Sequence, residues 1–502
     1  MAVPNTDNTT EITSYKLNAK GLVANVRILD RGDFVKEYEV SVQGIGDATK
    51  VLLTSLRPEL LSIVPIDPSR VDDKAYESEL IGKYTEASNL VINKYLPGTT
   101  EEVRKMLVAF IINMLLGLGE LEVPLADEGL EEVAINGARD NIWVFHREYG
   151  WCKTNIFLRN EEEIYDYAEQ IGRKVGRQIS NLNPLMDAEL LDGSRVNATL
   201  YPISQGGNTI TIRKFSKNPW SMVALLANKT ISQDTAALMW LCVQNEISLL
   251  ISGGTASGKT SFLNALGIFM PANRRVISVE ETRELTLPDF LQWLPMLTRQ
   301  PNPEGKGEVT LYDLMINALR QRPDILLVGE IRTKEDAQTL FEAIHTGHAV
   351  YGTLHADNAS NTIVRMSNPP IDISKLILNA LGGIVNLFRH RRLGIRRMLE
   401  FGEMLASGDV SVIQRWDIKS DTFIKIGDMT RLADTIGLYS GYTRTEIAQD
   451  IADKGVILKW MVDNKVLLVD EAGYVVASYY RDQEKVLSAA KEKVQFSKGM
   501  FG

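Results

Sequence analysis

The residues Gly253-Gly254-Thr255-Ala256-Ser257-Gly258-Lys259-Thr260 have the spacing GxxxxGK[ST], in which backbone and side chains together suit a phosphate chain. Glycine lets successive backbone N–H groups turn inward around phosphate oxygens, where a Cβ would intrude. Lys259 would set a compact positive charge near the terminal phosphates, and Thr260 a hydroxyl on Mg²⁺. Ser261 begins the helix-compatible stretch Ser261–Leu266, whose positive N-terminal end would face the anion. An apolar run, Ile247–Ile251, comes first. Strand, glycine loop and helix thus stand in the order such a cradle needs. A glycine turn without a ligand is the other reading.

Breaking a nucleoside triphosphate asks for more. A group must position water, a carboxylate must serve the Mg²⁺ side, and positive charge must meet the transferring phosphoryl group. An α/β sheet delivers such groups at the C-terminal ends of its strands. Val276–Val279 ends at Glu280-Glu281, and Asp324–Val328 ends at Gly329-Glu330. One of Glu280 and Glu281 would orient the attacking water, and Glu330 would hold a Mg²⁺-bound water. A solvated strand end is the plain alternative for each. His348 and His355, two of only five histidines, flank Ala349–Leu354 in TGHAVYGTLHAD. A strand between them argues against a metal pair. A γ-phosphate sensor, a subunit contact and a hydrogen-bonded structural histidine remain open for them.

The elements that must carry these residues follow from pattern. The chain has 502 residues, with 44% hydrophobic and 24% charged residues, so several soluble domains fit. A net charge of −9 argues against general nucleic-acid coating. Cys152 and Cys242 are too few for a tetrathiolate zinc site and suggest a reducing compartment. The polar start lacks a targeting pattern, and the apolar window Met106–Leu118 is too short to span a bilayer. Any membrane contact is therefore expected to be peripheral or through a partner.

Residues 1–13 read as a disordered lead. Two strands, Tyr15–Leu29 and Val35–Val42, then helices over Ala48–Ile63 and Arg70–Tyr95 predict an α+β docking module, 1–95. A capping box at Thr99-Thr100-Glu101-Glu102 opens a helix to Leu118. Strands near Glu131–Asn136, Asn141–His146, Cys152–Phe157, Arg195–Leu200 and Thr209–Lys214 surround a helix, Glu161–Ile179, capped by Asn160. These make a second α+β domain, 96–218, ending at the linker Ser216-Lys217-Asn218-Pro219. An amphipathic helix from Ser232 to Asn245 leads into alternating strands and helices, a parallel-sheet domain, 219–428. Boxes at Thr310/Asp313 and Thr333/Asp336 open two of its helices. After Gly394 the strands Arg396–Leu405, Val410–Trp416 and Thr422–Ile426 turn antiparallel, and 429–502 reads as helical.

Taken in order, Gly253–Thr260, Val279–Glu284, Arg322–Arg332 and Thr346–Asp357 resemble the phosphate loop, acidic box, Walker B strand and His box of the secretion and pilus ATPase superfamily. That family drives type II and type IV secretion, type IV pili and the archaellum. GLGELEVPLADEGLEEVAINGA and DAELLDGSRVNATLYPIS…TITIRKF resemble its preceding domain, so the likeness covers about 96–430 and is strongest to archaeal members. The resemblance implies an α/β, RecA-like motor domain preceded by α+β domains, with a helical tail. It implies ATP and Mg²⁺ as ligands, with Lys259, Glu280, Glu330, His348 and His355 as catalytic residues. It also carries Arg195 and Arg213 toward the nucleotide; each would otherwise read as a surface strand arginine, although arginine can clamp phosphate. It implies a cytoplasmic homohexamer at the inner face of the membrane, acting on a polytopic platform protein and pilin or archaellin machinery. Two departures stand out. The acidic box usually reads Glu-Asp and here reads Glu280-Glu281, and the four-cysteine zinc insert of bacterial type II motors is lacking. A nucleic-acid translocase and a non-hydrolysing ATP-binding assembly module are the rival readings. The basic cluster Arg389-His390-Arg391-Arg392 with Arg396-Arg397 reads as a solvated turn or intersubunit surface. An acidic partner loop or anionic lipid is its alternative, and it lacks the aromatic interleaving of a nucleic-acid site.

Overall fold

The computed structural model describes residues 9–64, 74–190, 192–215, 218–301 and 305–501. It contains two compact units, Met1–Ser216 and Lys217–Gly502. The expected linker residues 216 and 217, most of the expected lead (1–8) and the helix start at 70–73 lie outside the described residues.

Among the described residues the first unit is built on nine strands: β1 (Thr10–Ala19), β2 (Leu22–Asp30), β3 (Lys36–Val42), β4 (Leu130–Asn136), β5 (Asn141–His146), β6 (Gly150–Phe157), β7 (Leu185–Glu189), β8 (Arg195–Thr199) and β9 (Thr209–Arg213). Their order is β1-β2-β3-β6-β5-β4-β9-β8-β7. The expected strand Tyr15–Leu29 is two strands. Lys20 and Gly21, with φ of 48° and 89°, close a two-residue hairpin between Ala19 and Leu22, the backbone that right-twisted strands favour. The expected helix 48–63 breaks at Leu56, before Pro58 near the start of the second piece, Arg57–Ile63. The helix Glu101–Leu116 starts with Thr100 capping Val103 N. The third helix residue is thus Val103, not the expected Glu102, and the reciprocal half of the box cannot form. Helix Glu161–Lys174 is capped by Asn160 as expected but stops short of Ile179, where Gly176 turns at φ 66°.

The sequence divides this region at residue 95; the structure carries one sheet across that point. β3 pairs in parallel with β6, and one apolar core runs from Leu22 to Ile212. Asp127, buried, accepts from Tyr15 at 2.6 Å and Tyr38 at 2.7 Å, tying the first strands to the segment before β4.

The second unit carries β10 (Leu249–Gly253), β11 (Arg275–Glu280), β12 (Gln292–Leu297), β13 (Ile325–Val328), β14 (Ala349–Leu354), β15 (Gly383–His390), β16 (Ile395–Met404), β17 (Val410–Asp417) and β18 (Thr422–Lys425). The order is β12-β11-β13-β14-β10-β15-β16-β17-β18. Neighbours from β12 through β15 are parallel, and β15 to β18 are antiparallel. This is a RecA-like α/β sheet with an antiparallel extension and helices at its C-terminus. Both predicted capping boxes, Thr310/Asp313 and Thr333/Asp336, form completely. β15, unassigned from sequence, joins the parallel and antiparallel halves.

Helix Gln233–Gln244 is buried on all sides from Thr235 to Val243, not amphipathic. The C-terminal helices, including Arg444–Asp463 and Val469–Arg481, supply its outer cover. Trp240 donates to Tyr480 OH at 3.0 Å, which donates to Phe269 O at 2.6 Å. Residues of 429–501 therefore share the core of the phosphate-loop unit. Among the described residues no single helix is long and apolar enough to cross a membrane.

Candidate nucleotide site

β10 is fully buried, and the chain turns through Gly254–Gly258 into helix Lys259–Leu266. A Cβ at Gly253 would lie 2.5 Å from Leu387 O, so only glycine lets β15 approach. Gly258 (φ 97°) precedes a helix with no side-chain cap. Its first N–H groups form the positive end that suits phosphate. The Ser257 hydroxyl is buried with no hydrogen-bond partner among the described residues. These features fit a triphosphate, with Thr260 and Ser261 on the first turn.

Register aligns the rest. Val279 of β11 lies opposite Val328 of β13, Val328 opposite Gly352 of β14, and Leu354 opposite Ser252 of β10. Glu280, Glu330, His355 and the glycine loop therefore end four neighbouring parallel strands at the same edge. Lys259 Nζ is 3.3 Å from both His355 ring nitrogens, and His355 Nε2 is 3.0 Å from Glu330 Oε1. Arg332 continues the chain, 2.9 Å from Glu330 Oε2 and 2.7 and 2.6 Å from the two Glu281 oxygens. Burial, then the Lys259 charge, lowers the His355 pKa. A neutral ring donating from Nε2 to Glu330 and accepting at Nδ1 from Lys259 satisfies both contacts. Burial likewise lowers the Lys259 amine, opposed by the charges of Glu330 and Glu284.

The two acidic-box glutamates separate clearly. Glu281 is held by both oxygens on Arg332. Glu280 is buried; Oε1 accepts from Glu284 N at 2.9 Å and Leu285 N at 3.1 Å, while Oε2 is unpartnered among the described residues. Burial raises its pKa from 4.5 to about 7 against those two backbone donors. Such a folded-state rise makes the group's stability contribution full below the unfolded value and lost as pH climbs through the folded one. Glu280→Gln keeps the shape without the charge. Its Tm advantage over wild type is expected to grow from pH 4.5 to about 7 and then level off. Thermal melts across that range check this; a pH-independent difference would contradict it.

His348 stands apart within the chain. It precedes β14, whereas His355 follows it, six strand residues away, or roughly 20 Å. His348 Nδ1 is 3.0 Å from Ala343 O and 3.1 Å from Thr346 Oγ1. It also lines a cavity of about 150 Å³ at the opposite strand ends.

In the first unit, Arg213 and Arg195 are cross-strand partners on β9 and β8. Glu132 lies opposite Arg213, and Glu189 opposite Arg195. The row reads Glu-Arg-Arg-Glu. Burial raises the Glu132 carboxyl, and the Arg213 charge pulls it back down. Two arginines side by side repel unless anions flank or join them.

Sequence reading did not single out Arg332, two residues beyond Glu330, although its signal is an arginine that ends the Walker B stretch. It also placed Arg396 in a surface cluster, whereas Arg396 Nε donates to Ala256 O of the glycine loop at 3.0 Å.

Residues 120–397 match the family described as Type II/IV secretion system protein. The chain belongs to that family. An uncharacterized protein of Methanocaldococcus jannaschii is 33% identical over 395 residues, covering 76% of this chain and 71% of the relative. A putative conjugal transfer protein of Mycobacterium tuberculosis is 30% identical over 325 residues, 60% of this chain and 89% of that one. The solved VirB11 ATPase of the Brucella suis type IV secretion system, in complex with sulphate, is 21% identical with a TM-score of 0.30, covering 57% of this chain and 95% of that one. The family match takes in the glycine loop, both acidic strand ends, His348, His355, Arg195 and Arg213 of this chain.

Proposed function

We propose that this chain is a Mg²⁺-dependent ATPase that powers a secretion, pilus or archaellum machine. The observation that carries the reading is the alignment of the glycine loop, His355, Glu330 and Glu280 at one edge of four adjacent parallel strands. In this reading the loop amides and Lys259 bind the β- and γ-phosphates. Thr260 would hold Mg²⁺ directly and Glu330 through a bound water; the ion, when present, neutralises phosphate charge. Glu280 offers its buried, unpartnered oxygen to the attacking water, and its raised pKa places proton transfer near neutral pH. His355 links Lys259 to Glu330 and so reports phosphate occupancy at one to the carboxylate of the other. Arg195 and Arg213 would add positive charge at the phosphates, as the family resemblance implies.

The finer reading is a homohexamer in the cytoplasm, at the inner face of the membrane. There ATP binding, and its loss on hydrolysis, would work a polytopic platform protein that handles pilin-like subunits. The test is Mg²⁺-dependent ATP hydrolysis by the purified chain. Arg213→Ala is expected to cost about 10²-fold in kcat/KM if it meets transition-state charge. Turnover unchanged in this variant would remove Arg213 from the site. The relative's name, conjugal transfer protein, supports one rival: strong stimulation by single-stranded DNA would favour a translocase.

A further inference from the structure

Arg396 belongs by sequence to a basic cluster, yet its side chain leaves that cluster for the glycine loop. β15 runs parallel to β10, with Leu387 opposite Gly253. It therefore extends past the loop, and β16 returns beside it with Arg396 opposite Arg389. From there Arg396 Nε donates to Ala256 O at 3.0 Å. Its aliphatic stem covers the next turn of the loop: a Cβ at Gly258 would stand 3.6 Å from Arg396 Cδ.

The peptide that Arg396 grips matters. Ala256 has φ 57°, the left-handed region that a non-glycine residue keeps only when its surroundings hold it there. In a trans peptide the C=O of Ala256 and the N–H of Ser257 point in opposite directions. Fixing the carbonyl outward on Arg396 therefore fixes the Ser257 N–H inward, where it meets Gly254 O at 3.3 Å. Lys259 Nζ is 3.4 Å from the same carbonyl. The inner wall of the loop is thus set from its outer side.

We infer that Arg396 is a positioning residue for nucleotide binding, holding the Ala256–Ser257 peptide so that its N–H faces the phosphates. The inference rests on the proposed ATP reading. It concerns binding of the phosphate chain and leaves the chemical step to other residues, so it predicts a defect in KM and not in kcat.

Gln and Lys separate the hydrogen bond from the charge. Glutamine carries a donor nitrogen at the same chain position as Arg Nε, without charge; lysine carries the charge one atom further out, without a donor there. Arg396→Met is expected to weaken ATP and ADP binding about tenfold and to raise KM equally, with kcat and apo Tm near wild type. Arg396→Gln is expected to restore most of the affinity, and Arg396→Lys little of it. Fluorescent-nucleotide titration and steady-state hydrolysis read these out. Met binding as tightly as wild type, a Met defect confined to kcat or Tm, or rescue by Lys but not Gln would each overturn the inference. Failure of the wild-type chain to bind ATP would instead sink the ATP reading itself.

Discussion

Lys259→Ala is expected to bring ATP hydrolysis below detection, a loss of at least about 10³-fold, while the protein stays folded. The loss follows from geometry. Lys259 is the cation of the glycine loop and is 9% exposed, so no bulk ion replaces it. The retained fold follows from electrostatics. Burial already lowers the Lys259 amine from its ordinary value, so its charge is held at a cost that bound phosphate would relieve. Removing it leaves His355 on Glu330 and Glu330 on Arg332. Tm is therefore expected at or above wild type, measured without nucleotide. Full turnover in this variant would end the proposed mechanism; a collapse of Tm would show instead that Lys259 serves the fold.

Glu280→Gln is the second large effect. A general base contributes about 10² to 10⁴-fold, and loss of kcat in the middle of that range is expected with nucleotide binding kept. The surroundings of Glu280 suit a base, with one oxygen unpartnered among the described residues, deep burial and a pKa of about 7. The base must be ionised, so wild-type kcat should rise through about pH 7, and the Gln variant should lose that limb. Glu281→Gln is the contrast. Its carboxylate is taken up by Arg332, so its effect should run through Arg332 and lack the pH limb. If Glu281→Gln removed the limb and Glu280→Gln did not, the assignment would reverse.

The reading of Glu280 against Glu281 shows where sequence stops. Glu280 ends β11 and Glu281 follows it directly, so the pattern gives no choice between them. Which of them is buried with one oxygen unpartnered among the described residues and which meets Arg332 depends on β13 and the residues that follow it, far along the chain. His348 and His355 make the same point. The pattern sets them at opposite ends of β14, but only the neighbouring strands put Lys259 and Glu330 at one end and a cavity at the other.

What the sequence determined by itself was local backbone chemistry. The glycine loop, the boxes at Thr310 and Thr333, the Asn160 cap and the acidic strand ends each follow from residues within a turn or two, because hydrogen bonds and steric limits at that range need no distant partner. Long-range pairing decided the rest. β3 on β6 joins the first 95 residues to the next domain's sheet, and the C-terminal helices bury Trp240. β15 brings β16, and with it Arg396, to the back of the glycine loop. Such contacts form because apolar faces must find cover, and the choice of cover is a property of the whole folded chain.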